Sequence, residues 1–194
     1  TGWRGDGTGC FSNATPPLAW GRDQRIAWRT PLPRWSNASP VHQDGRILVC
    51  AEPATVICLA LADGKILWQA EQDYADVTTN AAEAVAARAA RQTLTGLLPK
   101  LQSAEAGVRK ARGELKKTPD DEAAKRALAA AEQACDAVKA EIAPHAKYRL
   151  PDTHETNGYT SPTPAADGSR FYVLLGSGTL AAYQPDGRRI WGRM

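Results

Sequence analysis

Hydrophobic residues follow two different periods along the chain, and the change between them divides the sequence into three parts. Near both ends, short runs of β-branched and aromatic residues alternate with Asp-Gly and other glycine turns, which is typical of antiparallel strands. In residues 80–146, alanine accounts for 21 residues and the apolar positions recur at steps of three and four, which predicts helices. We therefore predict three parts: residues 1–79, 80–146 and 147–194.

The two strand-forming parts are copies of one pattern. Each copy has an Asp-Gly turn, then a second turn glycine, then a tryptophan four positions after that glycine. These residues are Gly45, Gly64 and Trp68 in the first copy and Gly168, Gly187 and Trp191 in the second. The distance from the first aspartate to the tryptophan is 24 positions in both. Each copy predicts one four-stranded antiparallel unit, with strands near 40–43, 46–51, 55–61 and 65–70 in the first.

A four-stranded unit that recurs with a period of about forty residues is typical of a β-propeller. The closing motif of a glycine, three residues and a tryptophan resembles the pyrroloquinoline-quinone-repeat (PQQ-like) β-propeller family. This resemblance covers residues 1–75 and 156–194. It implies two four-stranded propeller blades. With the helical segment that the apolar period predicts between them, we expect a mainly β fold with an α insertion. The resemblance also implies an extracytoplasmic location, either periplasmic or secreted.

The segment before the first blade carries a partial third copy of the pattern. Residues 1–25 resemble the glycine-rich lead-in of extracytoplasmic family members, and we expect Trp3 and Trp20 to pack on the propeller edge. Residues 26–30 match the end of a blade, with Trp28 forty positions before Trp68. An N-terminal strand commonly closes a propeller ring, so we expect an outer strand whose blade lies elsewhere. Two blades predict the opening part of a longer propeller, and a homo-oligomeric ring is the alternative.

Apolar residues in 80–146 form two seams that predict an antiparallel coiled-coil hairpin. The seam residues are Leu94, Leu97, Leu101, Ala104, Val108, Ala111 and Leu115 in the first helix, and Ala124, Leu128, Ala131, Cys135, Val138 and Ile142 in the second. Thr118 is predicted to cap the second helix, with Pro119 at its first position. Pro99 is predicted to kink or break the first helix. We expect an insertion that the blades tolerate, and the alternative is a docking arm.

Charge and composition exclude several classes of function. The net charge is +3 and the charges are mixed in sign, so no nucleic-acid partner is predicted. No run approaches the roughly 18 apolar residues of a membrane span. The four cysteines have no CxxC spacing, so neither a zinc site nor a redox motif is predicted. Asp152, His154 and Glu155 are neighbours in one loop with no second cluster to complement them, so no metal site is predicted there.

The family resemblance implies two kinds of protein, quinone-dependent dehydrogenases and non-catalytic scaffolds. The dehydrogenases resemble one another in a pair of adjacent cysteines, a bound calcium and an aspartate base, and this sequence has no adjacent cysteines. We therefore expect a scaffold without catalysis or cofactor, whose partner is another protein or the remaining blades. PQQ and calcium are implied by the family name alone. A third hypothesis is that Trp35, Tyr159 and Tyr183 face a carbohydrate or another small ligand.

Overall fold

The computed structural model describes residues 8–11, 13–154 and 156–194. Trp3 of the lead-in and Glu155 of the acidic loop lie outside the described residues. The chain forms two compact units. The first contains Thr1–Ala81 and Pro151–Met194, and the second is Ala82–Leu150.

The first unit contains two four-stranded antiparallel sheets, as predicted. In both sheets the strands lie side by side in sequence order. Sheet 1 consists of β1 (Val41–Gln43), β2 (Arg46–Ala51), β3 (Thr55–Ala60) and β4 (Ile66–Glu71). Sheet 2 consists of β5 (Ala165–Ala166), β6 (Phe171–Leu174), β7 (Leu180–Tyr183) and β8 (Arg189–Arg193). The strand bounds of sheet 1 differ from the predicted ones by no more than a residue at each end.

Pairing register shows that the two sheets repeat one another position by position. In sheet 1, Leu48 pairs with Cys58 and Cys58 with Trp68. In sheet 2, the corresponding row is Tyr172, Ala182 and Trp191. Trp68 and Trp191 therefore occupy the same place on the same face of their sheets.

One face of each sheet packs against the other sheet. Side chains alternate between the two faces of a sheet along each strand. Sheet 1 packs with the face that carries Trp68, whereas sheet 2 packs with the face opposite to the one that carries Trp191. The buried side chains between the sheets include Leu48, Cys50, Val56 and Cys58 from sheet 1 and Phe171, Val173, Ala181 and Tyr183 from sheet 2. The opposite face of sheet 1 forms a smaller cluster of Ala51, Ile57 and Leu59, against which Trp28 packs.

One expectation for the lead-in is wrong, and another stays a prediction. Residues 26–30 adopt no strand here; the outer strand was expected to complete a blade that lies elsewhere, so this structure does not test it. Trp20 is 74 % exposed and packs on no sheet edge.

A short helix, α1 (Tyr74–Val77), follows β4 and was not predicted. Its capping box is formed by Asp73 and Asp76, a signal that is visible in the sequence.

The second unit contains the two predicted helices, α2 (Ala81–Lys117) and α3 (Glu122–Ile142), followed by a 3-10 helix, Ala143–Tyr148. The predicted break at Pro99 is wrong, because α2 continues through it. Leu97 and Leu101 are buried on both sides of this proline, and their packing outweighs the roughly 3 kcal/mol helix penalty of proline. The cap of α3 is Asp121 rather than Thr118.

The two helices share an apolar cluster formed by Leu94, Leu97, Leu101, Cys135 and Ile142. Farther along, Arg112 of α2 forms an ion pair with Glu132 of α3 at 3.0 Å. At the other end of the unit, the Glu83 carboxylate accepts a hydrogen bond from the Tyr148 hydroxyl at 3.1 Å. It also forms an ion pair with Lys147. The beginning and the end of this unit are thus joined. None of the helices among the described residues is both long enough and apolar enough to cross a bilayer.

Candidate interaction surface

Trp68 connects the two sheets by lying on a glycine turn. The β7–β8 turn contains Gly187, whose φ of +92° favours glycine. A Cβ atom at this residue would lie 2.6 Å from Cγ of Trp68, so any side chain there would displace the indole ring. The indole Nε1 donates a hydrogen bond to the carbonyl of Pro185 at 3.0 Å, and the ring stacks on Tyr183 with centroids 5.6 Å apart.

Trp28 makes the same arrangement on sheet 1. The β3–β4 turn contains Gly64 with a φ of +72°, and a Cβ atom there would lie 2.6 Å from Cδ2 of Trp28. The Trp28 Nε1 donates to the carbonyl of Leu61 at 2.8 Å, and the Thr30 hydroxyl donates to the carbonyl of Gly64 at 2.6 Å. Each sheet therefore has a receiving face, which accepts a tryptophan on its turn glycine, and a docking face, which carries the tryptophan that sheet provides.

The docking face of sheet 2 carries Trp191, and no further sheet covers it within the described residues. This face also presents Tyr172, Leu174 and Leu180. The two leucines are 48 % and 36 % exposed, whereas the equivalent positions in sheet 1, Cys50 and Val56, are buried. The Trp191 indole nitrogen donates to no described residue, in contrast to the bonded indoles of Trp28 and Trp68. The docking face of sheet 2 is thus an apolar surface with an available hydrogen-bond donor.

Asp167 holds one ring of this surface in place. Its carboxylate accepts hydrogen bonds from the Tyr172 hydroxyl at 2.6 Å and from the Ser169 and Arg170 amides at 2.8 Å each. The Tyr172 bond is the main reason why the pKa of Asp167 lies below its usual value, and it raises the pKa of Tyr172 in return. The Tyr172 ring lies 6.3 Å from that of Trp191, so the ring that the carboxylate holds is the neighbour of the indole on the docking face.

A buried polar network lies beside the Trp68 contact, and no pattern in the sequence predicted it. Gln72 follows β4 and is fully buried. Its amide nitrogen donates to the carbonyls of Val173 at 3.0 Å and Thr179 at 3.2 Å, and its oxygen accepts from the Tyr183 hydroxyl at 3.0 Å. The Thr179 hydroxyl donates back to the Gln72 carbonyl at 3.0 Å. Glutamine is common on protein surfaces, so its type and spacing carried no signal for this role.

Two of the three predicted ligand-facing aromatic residues come together. The Glu52 carboxylate accepts from the amides of Tyr159 at 3.0 Å and Thr160 at 2.7 Å. Between them, Gly158 leaves room for Glu52 and for the Trp35 ring, whose Cη2 atom would lie 2.8 Å from an added Cβ. Trp35 is 48 % exposed. Tyr183 lies elsewhere, fully buried between the sheets, so its ring faces no ligand.

The remaining two predicted glycines lie in the β1–β2 and β5–β6 turns. Gly45 has a φ of +71° and Gly168 a φ of +97°. The Gly168 amide donates to the side-chain oxygen of Gln43 at 2.7 Å, which adds a further bond between the sheets. Both positions shape hairpins and neither touches a tryptophan.

The described residues contain no group of three or more His, Cys, Asp or Glu side chains that could hold a metal ion. All four cysteines are free thiols. Cys50 pairs across the sheet with Val56 and Cys58 with Leu48, so the two do not oppose each other. Burial raises the pKa of Cys50 to about 12 and that of Cys58 to about 11, which keeps both protonated.

Comparison with known protein families agrees with the repeat geometry. The model of a PQQ-like repeat family, described as outer membrane protein assembly factor BamB, matches residues 18–115. This match covers just over half of the chain and includes sheet 1 with the Trp28 and Gly64 contact. No curated protein matches the chain. The repeated sheets, their turn glycines and this match together place the chain in the PQQ-like repeat family.

Proposed function

We propose that the chain is a non-catalytic scaffold of the PQQ-like β-propeller type, in which each four-stranded sheet is one blade. The observation that carries this proposal is the repeated placement of a tryptophan on a turn glycine, Trp28 on Gly64 and Trp68 on Gly187. The docking face of sheet 2 then binds a further four-stranded sheet, either a blade or a partner protein. Trp191 supplies the indole for that contact.

The partner of this face is defined by the two contacts already described. It presents a glycine with positive φ in a hairpin turn, a backbone carbonyl two or three residues before that glycine, and an apolar sheet face. The two helices of the second unit are the proposed coiled-coil arm and serve as a secondary docking element. The family description as an outer membrane assembly factor supports an extracytoplasmic setting.

A fusion protein tests this proposal. A copy of residues 31–71 is appended after Met194, because residues 31–40 naturally connect the Trp28 position to a following sheet. We expect Trp191 to dock on the appended Gly64. Trp191→Ala should then destabilise the fusion by about 3–5 kcal/mol in urea titrations, as truncation of a packed tryptophan does. In the unfused chain, where the ring is only partly buried, the same change should cost about 1 kcal/mol.

The matched control is the fusion with Gly64→Val in the appended copy alone. A valine side chain would occupy the place of the indole, so this fusion should respond to Trp191→Ala as the unfused chain does. Equal effects of Trp191→Ala in the fusion and in the unfused chain would contradict the proposal.

A second candidate function is carbohydrate binding at Trp35. The observation that favours it is a half-exposed indole whose edge packs on Gly158 next to Tyr159, which leaves one ring surface for stacking on a sugar. Binding to a glycan array that is lost in Trp35→Ala and retained in Trp20→Ala would support it. If no glycan on the array binds, the carbohydrate hypothesis fails and the scaffold proposal remains.

A further inference from the structure

Two hydrogen-bond donors of sheet 1 lie side by side on the face that packs against sheet 2. Gln43, the last residue of β1, pairs with Arg46, the first residue of β2. Because paired residues point to the same face, their side chains are neighbours. The next pair on this face, Val41 and Leu48, belongs to the core between the sheets. Gln43 and Arg46 therefore lie between the sheets, next to the β1–β2 turn.

Sheet 2 fixes the orientation of the Gln43 amide. Its oxygen accepts a hydrogen bond from the Gly168 amide at 2.7 Å, so its nitrogen points the other way. Gln43 is 7 % exposed, and its Nε2 atom has no hydrogen-bond partner among the described residues. A buried N–H group without an acceptor gives up its hydrogen bonds to water and gains none in return, so such groups are rare in folded proteins. This nitrogen marks a position where an acceptor is favoured.

Arg46 presents the second donor. Its Nη1 atom donates to the Asp44 carbonyl at 3.2 Å, whereas its Nε atom is buried and bonds to no described residue. The edge of a guanidinium that contains Nε and Nη2 carries two parallel N–H groups, and this arrangement binds a carboxylate through two hydrogen bonds. In the described part of the chain, nothing bonds to this edge of Arg46.

The acidic side chains of the adjoining turns do not neutralise the guanidinium. Asp167 precedes the turn glycine of sheet 2, but its carboxylate accepts from the Tyr172 hydroxyl and from two backbone amides of its own turn. Asp44 is exposed and forms no ion pair with a described residue. Burial raises the pKa of the Cys58 thiol, and the positive charge of Arg46 opposes this rise, which places the guanidinium near the core.

We propose that Gln43 and Arg46 bind a small carboxylate between the two sheets. The carboxylate accepts two hydrogen bonds from the Nε and Nη2 edge of Arg46 and one from Nε2 of Gln43. Its single negative charge balances that of the guanidinium. Because Gln43 is almost fully buried, we expect a ligand of a few atoms, such as acetate. Both walls of the site are described sheets, and the site does not depend on the proposed scaffold role.

Nuclear magnetic resonance of the arginine side chains tests this site in the full chain. The Nε–H signal of Arg46 is identified by its loss in Arg46→Lys. We expect this signal to shift in a saturable way as sodium acetate is added at neutral pH, and to stay in place when sodium chloride is added to the same ionic strength. Arg188, which is exposed in the β7–β8 turn, is the control, and its Nε–H signal should respond to neither salt.

Substitutions in β1 make the result specific. Gln43→Glu provides a tethered carboxylate beside Arg46, so we expect a higher melting temperature than that of the wild type and no response to acetate. Gln43→Met keeps the length of the side chain and removes the Nε2 donor, so the affinity for acetate should fall about tenfold. His42 is exposed and points to the opposite face, and His42→Gln should therefore bind acetate as the wild type does.

Four outcomes would overturn the site. They are an Arg46 signal that does not respond to acetate, one that acetate and chloride shift equally, a response that persists in Gln43→Glu, and equal binding of acetate and the bulkier trimethylacetate. The titrations of the wild-type chain need no substitution, so they decide the question even where a variant fails to fold. A negative result leaves the scaffold proposal intact, because the fusion experiment measures the docking of Trp191.

Discussion

The indole of Trp68 lies where a side chain of residue 187 would have to be, and it donates to a carbonyl two residues before that glycine. One glycine thus provides both the turn between β7 and β8 and the space for a tryptophan from the other sheet. The ring also stacks on Tyr183, so a single contact combines ring packing with a hydrogen bond.

We predict that Trp68→Ala destabilises the chain by about 3–5 kcal/mol, because it leaves a cavity between the sheets and an unpaired carbonyl. Urea denaturation followed by circular dichroism measures the change. Trp20→Ala is the control, and it should stay within about 0.5 kcal/mol because that ring is exposed. Similar stabilities of the two variants would show that Trp68 does not hold the sheets together.

Replacement of Gln72 by leucine should cost about 1–3 kcal/mol, since it leaves the buried Tyr183 hydroxyl without its acceptor and removes the amide that donates to the carbonyls of Val173 and Thr179. Gln69→Leu in β4, three residues earlier, is the matched control. Gln69 is exposed, so we expect almost no change there. Thermal unfolding measures the stability of both variants. A Gln72→Leu protein as stable as the wild type would show that the hydrogen-bond network of Gln72 does not stabilise the fold.

Glu52→Gln should loosen the start of the segment that leads into sheet 2. The charged carboxylate accepts from the amides of Tyr159 and Thr160, and hydrogen bonds to charged groups contribute about 1.5–3 kcal/mol. We expect faster hydrogen exchange of these two amides, with exchange in β3 unchanged. Glu141→Gln in α3 serves as the control. Unchanged protection at residues 159 and 160 would mean that the carboxylate does not anchor them.

The buried thiols predict how stability depends on pH. Their pKa values in the folded chain, about 12 for Cys50 and about 11 for Cys58, lie above the roughly 8.5 of an unfolded thiol. Above that value the unfolded thiols ionise first, so their contribution to stability is complete below pH about 8.5 and is lost as the pH rises towards 11–12. Melting temperatures measured across this range should fall less steeply in Cys50→Ala/Cys58→Ala. An unchanged slope would contradict the prediction.

The helical unit is expected to be dispensable for the sheets. We predict that replacing Ala82–Leu150 by a flexible Gly/Ser linker leaves the β circular-dichroism signal intact, because each unit is compact by itself. The linker variant should also respond to Trp68→Ala as the full chain does. Loss of the β signal would show that the helices are needed to form the core.

Sequence patterns were sufficient for the repeated elements and insufficient for contacts between them. The Asp-Gly turns and alternating apolar runs predicted both sheets, and the Gly-to-Trp spacing singled out Trp68 and Trp191. The spacing alone did not show that a tryptophan lies on the glycine of the next sheet, since that contact joins residues more than a hundred positions apart. The break predicted at Pro99 was wrong because packing against the second helix outweighs the local helix penalty of proline.

Gln72 and Glu52 were missed for a related reason. Each is a single polar residue in a connecting segment, and its role depends on backbone groups from the second sheet. The short strand at 26–30 was expected because its residues match a blade end. A strand nevertheless needs a neighbour for its hydrogen bonds, and the described residues provide none.

The bond between Glu83 and Tyr148 has a consequence for the order of folding. The two sheets are separated by a long stretch of chain, and closing a loop of that length in a flexible chain would slow their association. Helices form on a submicrosecond to microsecond timescale through local contacts, so the helical unit can fold first. Once its two ends are joined, the chain between β4 and β5 behaves kinetically as a short connection. The insertion would then delay the meeting of the sheets far less than its length suggests.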